Sequence, residues 1–475
     1  LTSTTPLEPE AARAARPQQL SHVVFIAAAA AMGGFLFGYD SSVINGAVEA
    51  IRHRYDVGSE ALAQVIAAAL IGCAAGAATA GRLADRVGRI RVMQLASVLF
   101  TISAIGSALP FSLWDLAMWR VLGGVAIGMA SVIAPAYIAE VAPAAYRGRL
   151  ASFQQAAIVI GIAVSQLVNW GILNLADGDQ RGTIAGLEAW QWMLGVMVVP
   201  AVLYGLLSFA IPESPRYLIA AGRTTEAKRV LAEVEGTGQD PDARVAEIER
   251  AMNSEHKPTI RDLLSSRYGL LPVVWIGIGL SVFQQLVGIN VIFYYSASLW
   301  QSVGIDPSGS FFYSFTTSII NIVGTVIAVL LVDRIGRKPL VLVGSVGMAV
   351  SLGLAAWAFS YKTGTGTDIS LPTLQGNVAL IAAHAFVLFF ALSWGVVVWV
   401  LLGEMFPNRI RAAALGVAAA AQWVANWLIT VSFPSLSDWN LSGAYVIYTV
   451  FAVLSIPFIL KWVPETKGKA LEEMG

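Results

Sequence analysis

Charged residues are scarce in this chain. Asp, Glu, Lys and Arg make up 13% of its 475 residues, against 56% hydrophobic ones, where soluble domains carry roughly 25% charge. With a mean hydropathy of +0.68, this shortage excludes an ordinary soluble domain and indicates an integral membrane protein. The charges present cancel, 30 basic against 30 acidic, which argues against nucleic acid as a partner. Cysteine occurs once, at Cys73. No internal disulfide can form, and in its apolar stretch Cys73 reads as a small packing residue. The four histidines (His22, His53, His256, His384) have no metal-ligand spacing. His384 reads as a packing or hydrogen-bonding residue. No nucleophile–base constellation, metal motif or phosphate-cradling glycine loop is visible, so neither an enzyme nor a bound cofactor is expected. A secretory signal is not expected either, because the apolar run from Val23 continues to Tyr39.

Long apolar runs are what the chain has in abundance. A spanning helix needs roughly 20 mostly apolar residues. Twelve such segments are predicted, at about 23–46, 60–81, 91–110, 114–137, 151–172, 189–211, 270–300, 311–332, 340–359, 377–402, 412–433 and 442–463. Basic residues fix the orientation. In this topology 25 lie on the side of the N-terminus and 4 on the other (Arg52, Arg54, Arg181, Lys362), with Arg120 inside a span. Both termini are therefore expected in the cytoplasm. Pro212 to Arg267 is the one long polar stretch. It reads as short amphipathic helices, Thr225–Glu235 after a turn at Gly222, then Asp242–Asn253. The expected organisation is an all-α membrane protein with a cytoplasmic tail (1–22), a six-helix bundle (23–211), a cytoplasmic helical linker (212–269), a second six-helix bundle (270–463) and a cytoplasmic tail (464–475).

The two halves repeat each other. Asp85-Arg-Val-Gly-Arg89 recurs as Asp333-Arg-Ile-Gly-Arg337, Glu140 followed by Arg147 as Glu404 followed by Arg411, and Pro212-Glu-Ser as Pro464-Glu-Thr. Each pair falls at the corresponding loop of its half. A duplicated six-helix unit follows, with a binding site expected where the halves meet.

Polar residues inside the spans point to chemistry. Gln284-Gln-Leu-Val-Gly-Ile-Asn290 places three carboxamides in an apolar run. Each amide offers two donors and an acceptor, suited to hydroxyl groups, and burying one without a partner is costly. Gln284 and Asn290 face different sides of an ideal helix, but unwinding at Gly288 would turn all three to one cavity. The alternative is interhelical bonding. Asp40 lies in span 1 and Arg120 in span 4, and ionisable residues at membrane depth are functional by default. A carboxylate beside an arginine stays charged, whereas burial alone favours the protonated acid. A pair that separates and rejoins can thus carry a proton; a static buried ion pair is the alternative.

The chain resembles the sugar porter family of the major facilitator superfamily. The resemblance is carried by Gly81-Arg-Leu-Ala-Asp-Arg-Val-Gly-Arg89, Pro212-Glu-Ser-Pro-Arg216, Gln284 to Asn290, Asp333 to Arg337 and Pro464-Glu-Thr-Lys-Gly468. It covers nearly the whole chain and looks closest to bacterial glucose permeases and the xylose– and galactose–proton symporters. It implies the major facilitator fold and a sugar site built from Gln155, Gln284, Gln285, Asn290, Asn321, Trp399 and Gln422. Phe37, Gln166, Phe390, Trp423 and Asn426 would surround them, with Tyr294 and Tyr295 as a gate or an interfacial anchor pair. It implies Asp40 as proton carrier with Arg120 as partner, since facilitative members typically have Asn there. It also implies a cytoplasmic latch of Asp85, Arg86, Arg89, Glu140, Arg147, Arg149, Asp333, Arg334, Arg337, Glu404, Arg409 and Arg411 that holds the outward-facing state; topology-setting solvated charges are the alternative. One departure stands out. The family usually has Pro after the glycine that corresponds to Gly395, where this chain has Val396. Without that proline span 10 is expected to bend less easily.

The resulting expectation is a monosaccharide–proton symporter, glucose foremost, in a bacterial inner membrane, working as a monomer by alternating access. Its partners are the sugar, protons and the lipid bilayer. A facilitative uniporter is the first alternative, against which Asp40 argues. A sugar sensor on this fold usually needs a long signalling tail, and an amide-rich cavity does not suit a drug exporter.

Overall fold

The computed structural model describes residues 17–143, 147–235, 240–254, 260–265, 267, 269–363, 370–407 and 410–467. The first half holds α1 (Pro17–Val43), a 3-10 turn (Ile44–Gly46), α2 (Val48–Tyr55), α3 (Ser59–Val87), α4 (Arg89–Ala108), α5 (Leu113–Val141), α6 (Arg147–Leu175), α7 (Ala189–Gly195) and α8 (Val198–Phe209). Short helices follow, α9 (Pro215–Ala220), α10 (Thr224–Glu235) and α11 (Pro241–Ser254), within a residue of the two expected from the linker sequence. The second half holds α12 (Pro272–Leu286), α13 (Ile289–Gln301), α14 (Pro307–Ile335), α15 (Arg337–Phe359), α16 (Thr373–Ala391), α17 (Trp394–Met405) and α18 (Arg411–Trp462). Two two-residue hairpins, Thr183–Ile184 with Leu187–Glu188 and Leu264–Ser265 with Gly269–Leu270, are the only paired strands among the described residues.

Eleven helical segments are long and apolar enough to cross a membrane. The last, Ala413–Trp462, has 50 residues, enough for two passes. Asn440 divides it: its backbone is extended (φ −164°, ψ 102°), and its Oδ1 accepts the Gly443 N–H (2.9 Å), as an N-cap does. The twelve expected spans are thus present.

Small residues set the packing. A Cβ on Gly72 or Gly76 of α3 would run into the Val121 or Val125 carbonyl of α5, and one on Gly124 or Gly128 of α5 into the Ala69 or Cys73 carbonyl of α3. Gly38 of α1 and Gly161 of α6 are related in the same way, to the Ile158 and Phe35 carbonyls. Such reciprocal glycine contacts replace the hydrophobic effect as glue where the solvent is lipid. Gly124→Ala is therefore expected to destabilise the first half by about 1–3 kcal/mol. Gly171→Ala, with nothing within 4 Å of the added methyl, is expected to be neutral. Thermal unfolding of the two purified variants checks the contrast.

Contacts between the halves concentrate at the end away from α9–α11. There the Ser59 hydroxyl donates to Asp438, Ser308 to Asn174 (3.1 Å), and Asn45 to Ser296 (3.1 Å).

Candidate functional site

Span 7 is broken where its sequence predicted. α12 stops at Leu286 and α13 starts at Ile289. Gly288 between them has φ +84°, a left-handed conformation that glycine adopts without strain. The Tyr448 ring lies 2.8 Å from where a Cβ would stand, so a side chain is excluded twice over. The break brings the amides together. Asn290 Nδ2 donates to Gln285 Oε1 (2.5 Å), and Gln285 Nε2 to Gln284 Oε1 (3.4 Å).

Span 10 is broken too, without the proline that usually marks a kink. α16 ends at Ala391 and α17 begins at Trp394, with Ser393 at φ −133°, ψ −87°. The Ser393 hydroxyl donates back to the Phe389 carbonyl (2.5 Å), satisfying a group freed at the break. Gln284 Nε2 then donates to the Trp394 carbonyl (2.7 Å). One carboxamide thus ties the break in span 7 to the break in span 10. Gln284 is an interhelical bond here, while Gln285 and Asn290 bond within their own span.

Around this chain of amides the halves face each other. The Phe37 and Trp423 rings lie 6.0 Å apart across the interface. Gln422 is half-buried, and its Oε1 is shielded with no partner among the described residues. Asn426 Oδ1 accepts from Thr430 (3.2 Å), and the Tyr294 hydroxyl reaches Asn426. Tyr295 donates to the Thr430 carbonyl (3.0 Å). Both tyrosines are buried, unlike the side chains of an interfacial anchor pair. Asn321 and Phe390 are buried, Gln155 half-buried and Trp399 exposed. Gln155, Asn321 and Trp399 share no hydrogen bond with the span 7 amides. Gln166 is engaged at both ends, by Asn45 Nδ2 (3.1 Å) and by the Ser42 carbonyl (3.3 Å). The chemistry of these groups suits a small polyhydroxylated solute: amides for its hydroxyls, aromatic faces for its C–H surface. A groove of about 440 Å³ between α15 and α18, lined by Gly353, Trp357, Ser442 and Val450 among others, lies away from these groups.

Asp40 and Arg120 form a closed pair. Arg120 Nη1 donates to Asp40 Oδ1 (3.0 Å), and both side chains are 4% exposed. Asp40 Oδ2 and Arg120 Nε have no partner among the described residues. The pair lines a cavity of about 10 Å³ with Ser41, Cys73 and Tyr294, roughly the space of one water. Cys73 is buried packing, as expected. His384 bonds the Leu380 carbonyl (2.7 Å) and faces the Thr317 hydroxyl (3.4 Å), a hydrogen-bonding residue.

The three repeated motifs meet as one cluster in each half. Arg89 grips Glu140 with Nε and Nη2 (both 3.0 Å) and pairs with Asp85 (3.1 Å). Arg337 grips Glu404 (3.0 and 2.8 Å) and pairs with Asp333 (3.0 Å). Ser214 donates to Glu140, and Thr466 to Glu404 (2.5 Å). Glu213 accepts the first N–H groups of α4, from Arg89 (3.0 Å) and Ile90 (3.2 Å). Glu465 does the same for α15, from Arg337 (3.1 Å) and Lys338 (3.0 Å). A carboxylate at a helix N-terminus meets both unpaired donors and the helix dipole. Burial pushes the Glu465 carboxyl up, but the backbone N–H groups of Lys467, Arg337, Lys338 and Thr466 hold it below the ordinary glutamate range. This cap stabilises the chain at neutral pH and is lost as acid titrates through that lowered value.

In this structure each cluster closes within its own half. Arg411 donates to the Phe406 carbonyl (3.1 Å), also within its half. Arg409 and the side chains of Arg147 and Arg149 lie outside the described residues, and the side chains of Arg86 and Arg334 are exposed. Sequence reasoning used Glu213 and Glu465 only as repeat markers and missed them as caps; their recurrence was the signal. It also missed Asn45, and Gln154, which is buried against Gly34.

Residues 26–475 match the family described as "Sugar (and other) transporter". The chain is 50% identical over 470 residues to the glucose transport protein of Synechocystis sp. (strain ATCC 27184 / PCC 6803 / Kazusa), covering 98% of this chain and 100% of that one. It is 36% identical to the D-xylose-proton symporter of Escherichia coli (strain K12), covering 96% and 95%. Among solved structures, the xylose transporter of E. coli in an inward open conformation matches with a TM-score of 0.80 at 35% identity, covering 96% of this chain and 99% of that one.

Proposed function

Because the chain belongs to the sugar transporter family, we infer that it is a secondary transporter that imports a monosaccharide, glucose foremost, together with protons. The observations that carry this reading are the buried Asp40–Arg120 pair and a chain of carboxamides at a helix break. The relatives named for glucose transport and xylose–proton symport support it. The positive-inside count supports a bacterial plasma membrane with both termini, 1–22 and 464–475, and the linker 212–269 in the cytoplasm. The two bundles, 23–211 and 270–463, act as the moving bodies of a monomer.

In that orientation the described hydrogen bonds between the halves lie on the extracellular side, which supports an inward-facing reading. Gln155, Gln284, Gln285, Asn290, Asn321 and Gln422 supply the hydrogen bonds to the hydroxyls of the sugar. Phe37, Phe390, Trp399 and Trp423 exclude water from its apolar face, and Tyr294 and Tyr295 close the outer side. Arg120 stands against Asp40 here, the arrangement assigned to the state after proton release to the cytoplasm. When helix movement draws Arg120 away, Asp40 takes a proton from outside, and sugar binding follows. The cytoplasmic clusters then meet across the interface and latch the outward-facing state.

Two measurements test this. Radiolabelled glucose is expected to accumulate in proteoliposomes under an inside-alkaline gradient and to leak back when a protonophore is added. Equilibration that ignores the gradient would mean a uniporter. Glu404→Gln removes a charge that the latch needs, and is expected to lower the outward-facing fraction severalfold, read by spin-label distances across the cytoplasmic side. An unchanged balance rejects the latch.

A further inference from the structure

The extracellular closure converges on one buried side chain. Asn45 sits in the 3-10 turn after α1 and is 1% exposed. Its Nδ2 donates to Gln166 Oε1 and to Ser296 Oγ, both at 3.1 Å. Its Oδ1 accepts the backbone N–H of Ala297 (3.0 Å). Only this orientation of the amide works, because a flipped one would set Nδ2 against that N–H. Ser296 in turn bonds Ser314 of α14 (2.7 Å). The turn itself is held rigidly to the first half: Gln166 caps the Ser42 carbonyl (3.3 Å) and Asn169 the Val43 carbonyl (3.1 Å). Gly46 lets it approach, since a Cβ there would stand 2.6 Å from the Asn169 carboxamide.

We propose that Asn45 is the positioning residue of the extracellular gate: it clamps α13 of the second half to α1 and α6 of the first, and Gln166 is its strut rather than a sugar ligand. This rests on the transport reading above. The clamp joins the moving part of the site to the fixed part. α13 begins one residue after Gly288 and carries Asn290 at its base. Its middle, Ser296 and Ala297, is what Asn45 holds. Opening towards the outside must break the bonds to Ser296 and Ala297 together, because both partners leave with the second half. In the closed state both Asn45 amide protons and its carbonyl are satisfied, and buried amides left unpaired are costly. The clamp therefore favours the inward-facing state and releases α13 only as a unit.

The test reads conformation independently of transport. Spin labels are placed at Glu60→Cys and Thr373→Cys, exposed residues at the extracellular ends of α3 and α16, in the full chain with Cys73→Ser, reconstituted in lipid. Asn45→Ala is expected to raise the population with the longer extracellular distance about tenfold. Ser296→Ala, which leaves the α1 turn intact, is expected to shift it the same way by less. If Asn45→Ala does not fold, the Ser296→Ala shift decides. Unchanged distances in the folded variants overturn the clamp. If instead the parent protein shows one distance that neither glucose nor pH moves, the alternating-access reading itself fails.

Discussion

Asp40→Asn is expected to abolish uphill accumulation and leave downhill exchange intact. In the parent protein one unit of pH gradient sustains about tenfold accumulation if one proton moves with each sugar. With Asn at position 40 the accumulation ratio falls to about one, whatever the gradient. The reason is local. Asp40 is buried with Arg120 as its charged partner and a cavity just large enough for a water-borne proton beside it. Asparagine has the same shape and can still accept from Arg120 Nη1, so the helix packing of α1 survives, but it cannot exchange a proton. A static ion pair predicts something different. Removing one member of a buried pair then costs stability, about 3–5 kcal/mol, and leaves any gradient-driven accumulation in place. Uptake with and without a protonophore, paired with thermal unfolding of the variant, separates the two. Accumulation that persists in a folded Asp40→Asn protein assigns the proton to another group.

The second large effect concerns the sugar. Gln285→Ala is expected to lower kcat/KM by a factor on the order of 10 to 100, the loss of one or two hydrogen bonds to hydroxyl groups. Gln285 is the middle member of the amide chain, bonded on one side to Asn290 and on the other to Gln284. These bonds are internal to span 7, so a sugar hydroxyl can replace them without opening a helix contact. Gln284 differs, because its bond to the Trp394 carbonyl joins two broken spans. Gln284→Ala is expected to lower thermal stability as well as affinity, and Gln285→Ala affinity alone. Binding isotherms for glucose and unfolding curves on both variants check the distinction. A Gln285→Ala protein that binds glucose normally and melts early would return the amides to a purely structural role.

Most of the architecture was legible because it follows from simple periodicities. Twelve apolar runs, a charge asymmetry and three repeated motifs suffice for the spans, their order and the duplication. The break at Gly288 was legible for a local reason: glycine amid carboxamides has few other uses at membrane depth. The break at Ser393 was not. Proline is the visible sign of a kink, whereas here the opening depends on a serine hydroxyl returning to the Phe389 carbonyl and on Gln284 arriving from another helix. Asn45 was missed for the same reason. Its partners, Gln166, Ser296 and Ala297, stand 121, 251 and 252 residues away, and no spacing rule reaches that far. The cytoplasmic charges were recognised as a class, but which of them pair within a half depends on packing that no spacing rule gives.

The paired clusters near the linker have a consequence for how such a chain can change over generations. Each arginine–glutamate fork, with its capping glutamate and its serine or threonine, is complete inside one half. A substitution that disturbs one fork can be answered only by neighbours in the same half, so the two copies are free to drift apart after duplication. Residues such as Asn45 and Asp438, whose bonds cross between copies, have no such freedom. Divergence should therefore accumulate within the halves as matched sets, while the seam between them changes only when both sides change together.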